Sequence, residues 1–82
     1  MGYKVLIHIV NDDPFEAEME DLPNHLSTSI SFTNPRKRDG KNVPWMTLGA
    51  RSFIFPMTRI SFIEIMVSDQ DLNEMITFYK PR

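Results

Sequence analysis

The stretch from Phe53 to Val67 constrains the fold of this chain more than any other. It is rich in β-branched and aromatic residues and is interrupted at Pro56 to Thr58. This pattern predicts two strands joined by a tight corner, because such residues favour extended backbone and proline cannot continue a ladder. Ile60 and Phe62 share one face of the second strand. Apolar residues occupy both faces from Phe62 onward, so this strand is either covered on both sides or bent.

Length and composition limit the number of domains and the function classes that this chain can have. The chain has 82 residues, of which 41% are hydrophobic, which predicts one globular domain with a single small core. It contains no cysteine, so disulfides and cysteine metal sites are excluded. The net charge of −2 disfavours a chain built as a whole to hold a polyanion.

The apolar runs are short, and the N-terminal residues lack the pattern of a secretory signal peptide. We therefore expect a cytoplasmic protein that makes no membrane contact.

Three segments in the first half of the chain alternate between apolar and polar residues with a period of two. They are Tyr3–Val10, Phe15–Leu22 and Thr28–Thr33. Turn-forming residues separate them, so they predict a three-stranded meander. Together with the later strands they should bury a common core. The core residues we expect are Ile7, Ile30, Phe32, Ile60 and Phe62.

Residues 34–49 predict a long basic loop. Asn34–Pro44 contains two prolines and one glycine and shows neither period. Trp45–Gly49 either continues this loop or folds back as a lid. Near the C-terminus, Leu72–Lys80 fits both a helical face and a strand, and its aromatic and β-branched content favours the strand.

Five or six short strands with almost no helix predict an all-β fold, a small bent sheet or barrel over residues 1–82. The order of strands, the turn after Val10 and the corner at Phe55–Ser61 resemble the Sm-like family, in particular its bacterial RNA-chaperone branch. The resemblance spans about Lys4 to Met66 and implies an Sm/SH3-like barrel, with RNA binding as one function. Met57 and Thr58 stand where that branch has its RNA-contacting Lys-His pair, and the Arg-Gly signature of eukaryotic Sm proteins is absent.

The basic cluster Arg36, Lys37, Arg38 and Lys41 carries four positive charges within six positions. With Trp45 nearby to stack on a base, it is a candidate contact for an anion or a nucleic acid. The alternative is a solvated loop whose charges are balanced by the acidic second strand, and a short basic run favours this simpler interpretation.

The remaining polar residues do not indicate a catalytic or metal-binding site. The acids between Asp12 and Asp21 lack the ligand spacing of a metal site and are typical of a wet strand face. His8 and His25 lack a nearby nucleophile and are expected to be structural. Arg59 is expected either to pair with a strand glutamate such as Glu64 or to pack its aliphatic stem on an aromatic ring. The sequence contains no GxGxxG, P-loop, HExxH or GxSxG motif. We therefore expect a protein without enzymatic activity, cofactor or metal.

Two function classes remain. The first is a protein-interaction or assembly module that pairs with a second copy of itself through its strand edges. The second is an Sm-like nucleic-acid-binding barrel that uses the basic cluster and Trp45. The net charge favours the first, and the resemblance favours the second. The candidate assembly edge consists of Phe53, Phe55, Phe62, Ile63 and Met66.

Overall fold

The computed structural model describes residues 2–67, which form an all-β fold of five antiparallel strands curled into a half-barrel. The sheet order is β4-β3-β2-β1-β5, so the first three strands form a meander and the last two are its outer strands. This confirms the predicted small bent sheet. The strands are β1 (Tyr3–Ile9), β2 (Phe15–Met19), β3 (Ser29–Lys37), β4 (Ser52–Pro56) and β5 (Ile60–Ile65), with a 3-10 turn at Met57–Arg59.

The period-two alternation of the first two strands sets which side of the sheet is buried. In β1, Val5, Ile7 and Ile9 face the core, and in β2 the residues facing it are Phe15, Ala17 and Met19. The two strands pair as a hairpin, from Tyr3 opposite Met19 to Ile7 opposite Phe15. The inward face predicted for β2 is therefore confirmed.

Aromatic rings fill the concave side of the sheet. Phe15 and Phe32 are almost fully buried, and their ring centroids lie 5.1 Å apart. The ring of Trp45 packs against both of them and against Phe53 and Phe55, with centroid distances of 5.2 to 6.3 Å. Trp45 therefore covers one end of the core, which agrees with the lid alternative for its segment.

The predicted corner between two strands is confirmed, but the strands on either side of it do not pair with each other. β4 pairs with β3, from Ser29 opposite Pro56 to Thr33 opposite Ser52. β5 pairs with β1 at the far end of the sheet. The 3-10 turn therefore crosses the open side of the half-barrel.

The predicted burial of Phe62 was wrong. The ladder between β1 and β5 places His8 opposite Phe62 and Ile9 opposite Ile60, so Ser61 is an extra residue in a bulge. The bulge shifts the alternation by one, and both Ile60 and Ile63 pack against the core. Phe62 lies on the outer face and is 54% exposed. The expected burial of Ile7, Ile30 and Phe32 is confirmed.

The basic loop begins later than predicted. The sequence predicts its start at Asn34, but β3 continues through Asn34 to Lys37. Two residues of β3 stand opposite one of β2 here, since Thr33 pairs with Glu18 and Arg36 with Glu16. Asn34 adopts a φ of 52° at this irregularity. A bulge of this kind accommodates the proline that follows, which the sequence pattern treats as a strand breaker. Proline at this position therefore does not end the strand.

Two further expectations concern membrane contact and the C-terminus. Among the described residues no helix is long and apolar enough to cross a membrane. The prediction of a strand or helix at Leu72–Lys80 lies outside the described residues.

Candidate assembly edges and basic hairpin

The hydrogen bonds between β4 and β3 determine which backbone groups of β4 point away from the sheet. The Met57 N–H donates to the Thr28 carbonyl oxygen over 2.9 Å. Because bonded and non-bonded positions alternate in an antiparallel ladder, Phe55 and Phe53 also point their backbone groups at β3. Ser52 and Ile54 point theirs at the outer edge. Pro56 occupies the next outward position, where it has no N–H to offer.

The outer edge of β5 follows from the same rule. The Met66 N–H donates to the Lys4 carbonyl oxygen over 2.8 Å. The alternation then directs the backbone groups of Glu64 and Phe62 toward β1, and those of Ile63 and Ile65 toward the outer edge. Within residues 2–67, neither outer edge has a strand partner.

The side chains proposed as the assembly edge fall into two groups. Phe53, Phe55 and Ile63 are partly buried and pack against the core. Phe62 and Met66 are exposed, by 54% and 47%. The structure thus places all five residues on or beside the two outer strands. Of the five, only Phe62 and Met66 have large apolar side chains exposed outside the core.

Two exposed apolar residues of these strands were missed by the sequence analysis. Ile54 in β4 is 71% exposed and Ile65 in β5 is 53% exposed. Both occupy positions whose backbone groups point at the outer edge. The apolar alternation at Phe53–Phe55 was the available signal, because burial of the two phenylalanines forces Ile54 to the opposite face.

The basic cluster lies at the tip of a hairpin rather than in a free loop. Arg36 and Lys37 end β3, and Arg38 and Lys41 lie in or beside the following turn. The Lys37 N–H donates to the Lys41 carbonyl oxygen, and the Gly40 N–H donates to that of Lys37, both over 2.8 Å. All four basic side chains are exposed, so they remain available to an anion.

Acidic residues lie close to this hairpin. Asp13 lines the same surface cavity as Lys37, Arg38 and Asp39. Arg36 stands directly opposite Glu16 in the ladder. These carboxylates lower the positive potential at the tip, as the simpler interpretation of the cluster requires.

Trp45 makes no extended stacking platform with the basic cluster. Its ring is held among core aromatics, with its centroid 5.2 Å from that of Phe15 and 5.3 Å from that of Phe55. A base could reach only the part of the ring that these contacts leave uncovered.

The outer face of β1 and β5 carries a polar and aromatic cluster that sequence analysis did not assemble. The ring of His8 stacks on Phe62, with centroids 3.9 Å apart and planes inclined by 14°. The Nε2 atom of His8 also forms a hydrogen bond to Oε2 of Glu64 over 2.7 Å. His8 and Glu64 are far apart in the sequence, so only the pairing of β1 with β5 reveals this contact. The hydrogen bond to Glu64 orients the ring of His8, and the stacked His8 ring in turn restrains Phe62 on the outer face.

Comparisons with known protein families, with curated proteins and with solved structures gave no match for this chain. Among the described residues, no group of three or more potential ligands could hold a metal ion. The candidate sites described above are the outer strand edges and the basic hairpin.

Proposed function

We propose that this chain is a non-enzymatic assembly module that pairs with a second copy of itself through the outer edges of β4 and β5. The observation that carries this proposal is the pair of unpartnered edges in the sheet of residues 2–67. Backbone groups on a sheet edge form a template for another strand, and natural proteins usually cover or block such edges.

The apolar side chains beside the edges support the same conclusion. Ile54, Phe62 and Ile65 are each more than half exposed. Burying one such side chain fully contributes about 1.5–3 kcal/mol, so contact with a second copy would stabilise the pair beyond its backbone hydrogen bonds. Ile54 and Ile65 lie on outer strands at opposite ends of the sheet, so each edge offers the same combination of backbone and apolar contact.

The proline in β4 limits how a second strand can add. Ser52 and Ile54 offer N–H groups at the outer edge, whereas Pro56 offers only its carbonyl oxygen. A partner strand would therefore form its hydrogen bonds mainly over Ser52–Ile54. This short segment predicts a defined register, because a shift of one residue would place Ile54 against the wrong face of the partner.

A charge on the β4 edge tests this proposal. We expect Ile54→Lys to reduce the oligomer to a monomer, because a charged side chain on an edge strand opposes strand addition. The measurement is molar mass by light scattering coupled to gel filtration, with the protein loaded at millimolar concentration. Leu26→Lys is the matched control, because Leu26 is 77% exposed but lies in the turn before β3. A monomeric parent protein, or equal masses for the two variants, would contradict the proposal.

The alternative function is an Sm-like barrel that binds RNA. The four exposed cations of the basic hairpin favour it, and the curled five-stranded sheet with its 3-10 corner is consistent with the architecture that the resemblance implies. Three observations argue against strong RNA binding. They are the neighbouring carboxylates, the net charge of −2 and the packing of the Trp45 ring against the core.

We expect a labelled single-stranded RNA to bind weakly and with strong salt dependence, as measured by fluorescence anisotropy. Arg38→Ser combined with Lys41→Ser should abolish this binding without unfolding the protein, since both residues lie outside the strands. Arg51→Ser with Arg59→Ser is the matched control, because it removes the same charge from two exposed positions outside the basic hairpin and outside the strands. Tight binding that resists salt would favour the RNA-binding function over the assembly module.

A further inference from the structure

The ladder between β2 and β3 ends before β3 does. Its last pair is Glu18 with Thr33, and β2 ends at Met19. On its other side, β3 remains paired with β4 down to Ser29. Within the described residues, the segment Ser29–Phe32 therefore has a strand on one side only.

The open side of this segment presents backbone hydrogen-bonding groups. The bond from the Met57 N–H to the Thr28 carbonyl fixes the alternation along β3. Ile30 and Phe32 then bond to β4, while Ser29 and Ser31 turn their N–H and carbonyl groups to the open side. The side chains of Ile30 and Phe32 are buried in the core and also line this side, so apolar side chains lie beneath it.

A cavity occupies the place where β2 would have continued. Its volume is about 280 Å³, and it lies between β3 and the segment that follows β2, lined from Glu18 to Pro23 on one wall and from Ser29 to Thr33 on the other. This is near the lower end of the range for binding pockets, so it suits a short segment of chain rather than a folded element.

The rim of the cavity is acidic. Glu18, Glu20 and Asp21 line it and are all exposed. Among residues 2–67, the contacts found between basic and acidic side chains join Lys4 to Glu16 and His8 to Glu64, so they leave these three carboxylates without a basic partner. A ligand with positive charge is favoured here, and a nucleic acid is repelled.

We propose that this cavity binds a short, extended, basic peptide segment of a partner protein, which adds as a strand to the open side of β3. The backbone groups of Ser29 and Ser31 bond to the main chain of the peptide, and its Lys or Arg side chains lie beside Glu18, Glu20 and Asp21. Addition of a strand to an open edge is a common mode of peptide recognition, in which the main chain supplies affinity and side chains supply selectivity. This surface is separate from the outer edges of β4 and β5, so the proposal does not depend on self-assembly.

The probe for this site is a fluorescein-labelled hexapeptide of alternating lysine and valine, titrated with the full chain and followed by anisotropy. We expect saturable binding that perturbs the amide resonances of Ser29 and Ser31. Glu20→Gln combined with Asp21→Asn should weaken binding about tenfold, since it removes two ion pairs at an exposed rim, each of which contributes modestly to affinity. Asp12→Asn with Asp13→Asn is the matched control, because it removes the same charge in the turn between β1 and β2 and should leave the affinity unchanged.

A second peptide separates strand addition from simple charge attraction. The same hexapeptide with methyl groups on alternate backbone nitrogens keeps its charges but loses the donors that face β3. We expect it to bind at least about tenfold more weakly, because several backbone hydrogen bonds are lost. Equal affinity for both peptides, equal loss in the two double variants, or no binding at millimolar peptide would each overturn the proposal.

Discussion

Phe32 and Trp45 each contact four other aromatic rings among the described residues, and Phe32 is the more deeply buried of the two. It contacts the rings of Phe15, Trp45, Phe53 and Phe55, and only 1% of its surface is exposed. Each of these neighbours lies on a different strand or segment, apart from the two phenylalanines of β4. Phe32 therefore links β3 to β2, to β4 and to the segment that carries Trp45.

Replacing this residue should be far more harmful than replacing Phe62. We expect Phe32→Ala to lower the free energy of unfolding by about 3–5 kcal/mol, because it leaves a cavity in a small core. Phe62→Ala should lower it by about 0.5–1.5 kcal/mol, since it removes mainly a stacking contact with His8. Urea unfolding followed by circular dichroism measures both. Equal losses in the two variants would place Phe62 in the core after all.

The difference between these two phenylalanines could not be predicted from their neighbours in the sequence. The alternation Ile60, Phe62 suggests a common face, and it would hold in a regular strand. The extra residue at Ser61 is visible only once β5 is paired with β1. Local pattern therefore predicted that the strand exists but assigned its faces incorrectly beyond the bulge.

Among the single elements, β3 shows how a residue with a positive φ lets a strand continue past a proline. Asn34 takes up a positive φ at the irregularity, and the chain then continues to the turn at Gly40, whose φ is 89°. After the turn, Asn42 bridges back to Arg36, and Val43 becomes buried. The basic hairpin is thus anchored to the core at its base by Val43.

Gly40 is the residue that this turn most requires. A Cβ atom there would meet nothing within 4 Å, so any cost of Gly40→Ala comes from its positive φ and not from a clash. We expect a loss of about 1 kcal/mol in the free energy of unfolding. Thermal and urea unfolding provide the measurement. Lys41→Ala, in the same hairpin but without a positive φ, should be close to neutral, and a stabilised Gly40→Ala protein would contradict this account of the turn.

The elements differ in how far the sequence predicted them. The first two strands and the faces of β2 followed from period-two alternation alone, and in β2 one side is buried while the glutamates lie on the other. The end of β3 did not follow, since proline and glycine are typical of loops and a bulge leaves no clear signal in one sequence. The pairing of β4 with β3 and of β5 with β1 is non-local, so local periodicity could not supply it.

At the scale of the whole molecule, the candidate assembly site depends on these non-local pairings. The sequence analysis placed the assembly edge near Phe53–Phe55 and Phe62–Met66, and both segments lie in or directly beside the outer strands. It did not separate side chains that pack inward from those that remain exposed. The exposure of Ile54 could have been read from its alternation with Phe53 and Phe55, but its position on an outer edge, like that of Ile65, follows only from the strand pairing.

The proposed assembly predicts that a second copy covers the outer edges of β4 and β5 in solution. Amide hydrogen exchange measured by NMR at millimolar and at micromolar protein tests this prediction. At high concentration we expect slow exchange at Ile54, Ile63 and Ile65, whose N–H groups point away from the rest of the sheet, and faster exchange on dilution as the copies separate. The core amide of Ile7 should exchange slowly at both concentrations. Fast exchange of the three edge amides at every concentration would contradict the claim.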